Sequence, residues 1–395
     1  MKLVWILNGC GLEDGTITGS PLRFHAISRR WQQQVAELRQ CLITTPGGAS
    51  MLQRMGSEIP VAQLLPASLL LRREPFIPFR FWSYLVSSVA ARLRAAKLPE
   101  GDVAITVSDY FCDVVTALQL KRRQPSTRWI AWIHHRELPP AERPGRRWIN
   151  RITYAMQAWS LRRIARHADE AWLYDTAAGD ALRQELLQLG MAESQIRRMG
   201  CGIELHEACQ LPANEKEVDA VMVGVRPNKG LHDIVPIWRE VVRQRPGTTL
   251  RLMGGITGWP ALEAELQAAG LASLVTVHRP AAGWLDTPAY YRTLAAGRVL
   301  FAPSREEGWG MALCEAMACG LPVIAWDLPV YRRIYGAAFN AVPLGDHAAF
   351  ATAICRLLDD PVAAETWRVK GLACAAGYDW DKLAEADWTA LEIRE

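Results

Sequence analysis

Two acidic residues, Glu307 and Glu315, stand at the ends of the run EGWGMALCE, with Gly308 and Gly310 between them. Glycine has no Cβ and lets a ligand come up to the backbone. Met311, Ala312 and Leu313, opening a helix, would turn free N–H groups toward phosphate oxygens. Carboxylates touching a pyrophosphate would repel it, so Glu307 and Glu315 suit neutral hydroxyls, such as those of a sugar and a ribose. Arg226 and Lys229, in VRPNKG before another helix, can neutralise a leaving diphosphate. His134 and His135 follow the apolar run RWIAWI and would face a ligand from the carboxyl end of a strand.

These residues need elements to hold them. Residues 299–302 are a short apolar run of the buried parallel type, and residues 311–319 are rich in helix formers. Gly320 sits where a helix stops, Pro322 prevents continuation, and VIAW follows as a strand. Strand, loop, helix, strand is one βαβ unit, with the acids at the carboxyl end of its first strand. The N-terminus repeats the theme: an apolar strand at 2–7 runs into Asn8-Gly9-Cys10-Gly11, and a second loop, GTITGS at 15–20, precedes a helix expected at 21–40. Further strands are expected at 41–44, 103–107, 128–133, 219–224, 249–253 and 275–278.

At this point the run E-G-W-G-x4-E, continued by A-M-A-C-G-L-P-V-I-A, resembles the Glu-x7-Glu signature of retaining glycosyltransferases of family 4. P-x-K-G at 227–230 resembles that family's phosphate loop, with Arg226 displaced toward Pro227. The resemblance implies an α/β GT-B fold: two Rossmann-like domains facing each other across a cleft. It implies that Glu307 contacts the donor sugar, that Glu315 holds the ribose, and that Gly308, Trp309, Gly310, Met311, Ala312 and Leu313 line the donor cradle. It places Gly19 and Ser20 against the donor phosphates and a histidine beside the sugar, with His134 favoured and His135 kept. Residues 279–283 would border the base. Cys201 and Glu204 depart from the family's P-N-G-V-D run, and Arg333 stands where a Glu is usual.

At 395 residues, half of them apolar, the chain needs two cores. The expected division is an acceptor-side domain at 1–205, a nucleotide-sugar domain at 218–375 and a last helix at 376–395 crossing back to the first domain. The net charge of +4 conceals +10 on residues 1–200 and −6 on residues 201–395. A basic first half calls for an acidic partner: an anionic lipid surface or a phosphorylated lipid acceptor. Nucleic acid is not expected, since no RNP, helix-turn-helix or zinc-finger pattern occurs. Residues 60–98 interleave Phe76, Phe79, Phe81, Trp82 and Tyr84 with arginines, which fits a lipid headgroup layer or a core helix with a basic face. Nine cysteines without Cys-x-x-Cys fit a reducing, cytoplasmic setting, peripheral to the membrane if the basic surface docks there. No metal site is expected, and no cofactor: a UDP- or GDP-linked sugar enters as substrate and leaves on a saccharide or lipid-linked acceptor. Another GT-B enzyme, such as an epimerase or a phosphorylase, or a non-catalytic glycan- or lipid-binding module, is the alternative.

Overall fold

The computed structural model describes the chain except residues 10–18, 67–76, 144–145, 210–215, 257, 279–286 and 393–395, and of residues 77–83, 209 and 256 it describes only the backbone. The GTIT part of the second glycine loop, the base-side loop at 279–283, and Phe76 with Arg72 and Arg73 therefore lie outside the described residues. So do the side chains of Phe79, Phe81 and Trp82. The chain divides into two compact units, one of Met1–Gly200 with Leu383–Glu395, the other of Cys201–Lys382.

The first unit is a seven-stranded parallel sheet: β1 (Lys2–Leu7), β2 (Arg39–Thr44), β3 (Val61–Leu64), β4 (Val103–Thr106), β5 (Arg128–Ile133), β6 (Glu170–Tyr174) and β7 (Ile196–Met199). Its spatial order is β3-β2-β1-β4-β5-β6-β7, every neighbouring pair parallel. The connecting helices are α1 (Gly19–Gln34), α2 (Pro46–Arg54), α3 (Ile77–Leu93), α4 (Phe111–Arg123), α5 (Arg147–His167) and α6 (Ala177–Gln188). Helix α1 stops six residues before the expected Gln40. The cause is buried: Gln40 accepts from the Trp5 indole at 2.7 Å, which draws 39–40 into the sheet beside β1. Strand β1 is buried from Leu3 to Leu7, as a strand covered on both faces must be.

The second unit contains α7 (Leu205–Cys209), β8 (Val218–Val225), α8 (Ile234–Gln244), β9 (Leu250–Ile256), α9 (Trp259–Ala268), β10 (Val275–His278), α10 (Thr287–Ala295), β11 (Gly297–Ala302), α11 (Met311–Ala318), β12 (Val323–Trp326), α12 (Pro329–Tyr335), β13 (Asn340–Val342), α13 (His347–Asp359) and α14 (Pro361–Ala375). Its six parallel strands run β10-β9-β8-β11-β12-β13. Helix α11 ends as its sequence requires: Gly320 is left-handed at φ 73°, Leu321 N–H reaches Ala316 O at 2.9 Å and Gly320 N–H reaches Met317 O at 3.0 Å. Residues 329–335 are helical because Pro329 opens a turn that buries Val330, Tyr331 and Tyr335.

The last helix, α15 (Trp380–Glu392), joins the first unit from Leu383 onward. There Asp387 pairs with the fully buried Arg23 of α1, which also donates to Gly200 O at 2.9 Å and lies 4.0 Å over the Trp132 ring. Trp31 donates to Ala384 O at 2.8 Å and packs edge-on against Trp388.

Each sheet reverses its strand order once. In the first unit the chain builds β1, β2, β3 outward and then places β4 on the other side of β1; in the second it builds β8, β9, β10 and then places β11 beside β8. At such a reversal the loops at the carboxyl ends diverge and leave a crevice. The two crevices are bordered by residues 8–9 and 107–113, and by residues 226–230 and 303–310.

Candidate functional site

In the second unit the phosphate-type loop and the acidic loop are built onto each other. Residues 227–229 form a single 3-10 turn, and Gly230 follows at φ 83°. Gly230 is required twice over: the left-handed backbone favours it, and a Cβ there would meet Pro303 O at 2.1 Å. That contact lets Asn228 O accept from Arg305 N–H at 2.9 Å and Glu306 N–H at 3.2 Å. Asp233 clamps the same loops with two bonds of 2.6 Å from the Arg305 guanidinium and one of 2.8 Å to His347 Nε2.

This stapling brings Lys229 and Glu307 into direct contact as an ion pair, both side chains largely shielded from solvent. Lys229, Glu307, Ser304, Ala312 and Leu313 line one pocket at the carboxyl end of β11. Glu307 has a second neighbour: the buried Tyr331 hydroxyl lies against it and Ser304, and its pKa is raised well above the usual phenol range, by burial first and by the Glu307 charge next. Glu315 lies one helix turn deeper and accepts a 2.5 Å hydrogen bond from the Tyr290 hydroxyl. Burial lifts the Glu315 carboxyl to about 7, against the lowering pull of Tyr290 and of the Lys229 charge. The two acids thus differ: Glu307 is paired with the Lys229 ammonium, whereas Glu315 is bonded to a phenol and is lifted by burial to about 7. Arg226 is half-buried on the adjoining strand end; its carbonyl accepts from Lys229 and Leu231 N–H, and its Nε makes no hydrogen bond among the described residues.

Gly310 caps α11 at φ 88°, with no side chain closing the helix end. Its place is fixed from behind, where a Cβ would meet the Tyr331 ring at 2.5 Å and where Tyr335 donates to Gly310 O at 2.9 Å. Two expectations change here. Leu313 N–H is spent on Gly310 O at 3.0 Å, so among the three expected cradle amides it is not available to an anion. Trp309 does not face the cradle: its ring is buried and packs edge-on against Tyr335 and Tyr378, at 5.5 and 5.1 Å. An aromatic between two glycines is pulled inward because the core beneath offers it partners.

In the first unit, Gly19 and Ser20 are the first two residues of α1, Gly19 exposed and Ser20 half-buried. The histidines part ways. His134 Nε2 is 2.7 Å from Val107 O and Nδ1 is 2.9 Å from the Tyr174 hydroxyl. Burial drives its pKa down to about 3, so the ring is neutral. Only a donor can meet Val107 O, which fixes the proton on Nε2 and makes Nδ1 the acceptor of the Tyr174 proton. Both nitrogens are committed, and the preference for His134 as the ligand-facing ring is reversed. His135, next along the chain, is half-buried and lies close enough to Asp109 for its charge to lower that carboxyl's pKa, which burial raises.

The same crevice holds acids that no motif announced. Asp113, in the first turn of α4, accepts from Asn8 N–H at 2.5 Å and Gly9 N–H at 3.2 Å on one oxygen, and from the Ser108 hydroxyl at 2.5 Å on the other. It thereby fixes the start of the first glycine loop. Its burial raises its pKa to about 7. Asp109 and Gln157 are bonded at 2.8 Å. In the second unit Tyr290, Tyr331 and the Asp233–Arg305 clamp were equally unread. Only Asp113 carried a signal, an acid in the first turn of a helix that follows a strand-end loop. Among the described residues no group of three His, Cys, Asp or Glu side chains could hold a metal ion.

Comparison with known proteins agrees with this geometry. Residues 217–360 match the family model described as Glycosyl transferases group 1. A phosphatidyl-myo-inositol mannosyltransferase of Mycobacterium leprae is 36% identical over 121 residues, 30% of this chain and 31% of the relative. A D-inositol 3-phosphate glycosyltransferase of Jonesia denitrificans is 30% identical over 181 residues, 44% of this chain and 42% of the relative. Both matches span under half the relative's length. Among solved structures, Anabaena HepE in complex with UDP and glucose superposes with a TM-score of 0.74 at 16% identity, over 99% of both chains. Residues 217–360 are therefore a glycosyl transferases group 1 segment, in a chain whose two parallel-sheet units have the GT-B fold.

Proposed function

We propose that the chain is a retaining glycosyltransferase that moves a sugar from a UDP- or GDP-linked donor to a saccharide or lipid-linked acceptor, without a metal ion, in surface glycan synthesis. The observation that carries this reading is the Lys229–Glu307 pair at the strand reversal of the second unit. An ammonium has three N–H donors, so Lys229 can keep Glu307 in place and still meet a phosphate oxygen. As the bond to the anomeric carbon breaks, the leaving diphosphate gains negative charge. Lys229, Arg226 and the amides of Met311 and Ala312 stabilise it in a partly desolvated pocket, where such donors count for more than in water. Glu307 accepts from the sugar hydroxyls. Glu315, its other oxygen fixed by Tyr290, accepts from the ribose. His135 seats the sugar, and the departing phosphate takes the acceptor's proton.

Both relatives are named for acceptors with a phosphorylated inositol. An anionic acceptor fits the +10 charge of residues 1–200. Docking on anionic lipid is supported by α3, where Leu85, Val89 and Leu93 form an exposed stripe at helical spacing, Leu93 being 80% exposed, beside exposed Arg92 and Arg94. No described helix is long and apolar enough to cross a membrane.

A screen of nucleotide sugars for transfer, with the product's anomeric configuration read by NMR, tests the reaction. Thermal shift with UDP, GDP and ADP tests the site. Absence of a shift with all three leaves the non-catalytic module; interconversion of the donor sugar, or cleavage by phosphate, leaves the epimerase or phosphorylase. Vesicle co-sedimentation that ignores anionic lipid content removes the docking part alone.

A further inference from the structure

The loop after β5 has no regular structure of its own from residue 134 to residue 139, yet it carries His135. Its backbone groups need partners from elsewhere. One side chain supplies partners to two of them. Gln157, in the middle of α5, donates through Nε2 to His135 O at 2.8 Å, and its Oε1 accepts from Glu137 N–H at 2.9 Å. The same Oε1 accepts from Arg136 Nη1 at 2.6 Å, and Nε2 also donates to Asp109 Oδ2 at 2.8 Å. An amide has two donors and two acceptor lone pairs, and all four are in use. The orientation is unambiguous, because a carbonyl faces one end and an amide N–H the other.

The bonds join three parts of the crevice: Asp109 in the loop after β4, the 135–137 backbone after β5, and α5. Arg136 has other anchors, Glu185 at 3.0 Å and the Tyr154 ring at 4.1 Å. For the amide pair that flanks it, His135 C=O and Glu137 N–H, Gln157 is the partner found. Asp109 is buried, so its carboxylate depends on donors of this kind.

We propose that Gln157 is a positioning residue that sets the His135 ring and the Asp109 carboxylate at the strand reversal of the first unit; this rests on the transferase reading, in which His135 seats the donor sugar. The role is one of placement. Gln157 holds the loop that carries His135, and a shift of about 1 Å at such a group costs on the order of 10–100-fold in rate.

Two variants separate placement from simple packing. Gln157→Met fills the same volume without hydrogen bonds. Gln157→Glu keeps both acceptor bonds but replaces the two donor bonds, setting a second carboxylate against Asp109. Expected are a kcat lowered roughly 10-fold or more in Gln157→Met and further in Gln157→Glu, with the UDP thermal shift unchanged, because UDP lacks the sugar that His135 seats. In 13C-labelled histidine spectra the His135 imidazole resonance moves in Gln157→Met, and that of His206 does not. Should Gln157→Met not fold, Gln157→Asn, which draws the amide back by one methylene, carries the same test. An unchanged kcat in both variants, or an unmoved His135 resonance, overturns the proposal. If the wild type transfers no sugar at all, the transferase reading fails, while the resonance shift still decides what Gln157 holds.

Discussion

The two strand reversals are topologically alike and chemically opposite. In the second unit the crevice is lined by full charges that answer one another: Lys229 with Glu307, Arg305 with Asp233. In the first unit it is lined by groups that burial drives toward neutrality: His134 down to about 3, Asp113 up to about 7, Asp109 upward. A cradle for a diphosphate must hold charge ready before the ligand's charge grows, and a paired ion does that at less cost in desolvation than an unpaired one. Under the proposed reading, a crevice that seats an uncharged ring needs shape and fixed hydrogen bonds, and neutral groups supply them. The fold offers the same kind of place twice, and the side chains that line it differ in charge.

The sharpest way to break this contrast is to remove the charges of the second crevice. Lys229→Ala and Glu307→Ala are each expected to lower kcat/KM for transfer by about 10²–10³-fold, the range for losing one preorganised electrostatic contact. Since the two side chains hold each other, the double variant should lose much less than the product of the singles. A double-mutant cycle on kcat/KM measures this, and strict multiplicativity would mean that the pair acts as two independent groups.

Next in size is a test of rigidity. Gly230→Ala puts a Cβ against a main-chain carbonyl, Pro303 O at 2.1 Å, in a left-handed backbone. It should destabilise the second unit by roughly 2–4 kcal/mol. Gly9→Ala, in the other crevice, meets the Tyr110 side chain, its ring at 2.2 Å and its Cβ at 2.8 Å, on a residue 38% exposed. The ring can turn, but the Cβ moves only with its backbone, so the cost should be about 1–2 kcal/mol, below that of Gly230→Ala, where the backbone is also left-handed. Thermal unfolding of both variants gives the comparison; equal losses would show the two crevices equally rigid.

The contrast also explains what could be read from the sequence. Charged groups at short spacing next to glycines announce themselves, so Glu307, Glu315, Lys229 and the strands that carry them were legible. The parallel sheets were legible as well, because buried strands such as RWIAWI are apolar at every position after the leading Arg128. Direction of a side chain was not. Trp309 and Leu313 stand inside the motif but are claimed by the aromatic core and by a turn bond, both set by tertiary neighbours. The first crevice draws on residues 8, 109, 113, 135, 157 and 174, which meet only when the sheet is assembled, and a glutamine in mid-helix carries no signal of its four bonds. His134 and His135 look alike in sequence, and the Val107 carbonyl and the Tyr174 hydroxyl tell them apart.

A third expected effect concerns the buried acid of the first crevice. Asp113 titrates near its ordinary 3.8 when unfolded and at about 7 when folded. Between those values the folded state binds the proton more tightly, so the group's contribution to stability is greatest at low pH and is lost as pH rises from about 4 to about 7. Asp113→Asn removes this dependence while keeping the contacts: its Oδ1 can still accept from Asn8 and Gly9, and its Nδ2 can donate to the Ser108 hydroxyl. The variant should gain on the wild type by on the order of 2 kcal/mol between pH 4 and pH 8, read from unfolding curves at the two values. A constant offset across that range would place the Asp113 carboxyl in an ordinary, solvated state.

The smallest effect is expected where the second crevice borrows the chemistry of the first. Glu315 is the one acid of the cradle that burial lifts to about 7, and the Tyr290 hydroxyl opposes that lift by bonding its charged form at 2.5 Å. If Glu315 accepts the ribose hydroxyls, nucleotide affinity should rise with pH as the carboxylate ionises, because the ionised form is acceptor-only and the protonated form spends one oxygen as a donor. Tyr290→Phe removes the opposing bond and moves the carboxyl pKa further up. UDP affinity should then fall about 5-fold at pH 7, near 1 kcal/mol, and recover toward the wild-type value by about pH 9, where the carboxylate is ionised in both. Calorimetric titration across pH distinguishes this from loss of packing, which would lower affinity equally at every pH. Glu315→Gln supplies the complementary reading: fixed neutral, it should bind UDP with no dependence on pH in this range, at the affinity the wild type shows when protonated.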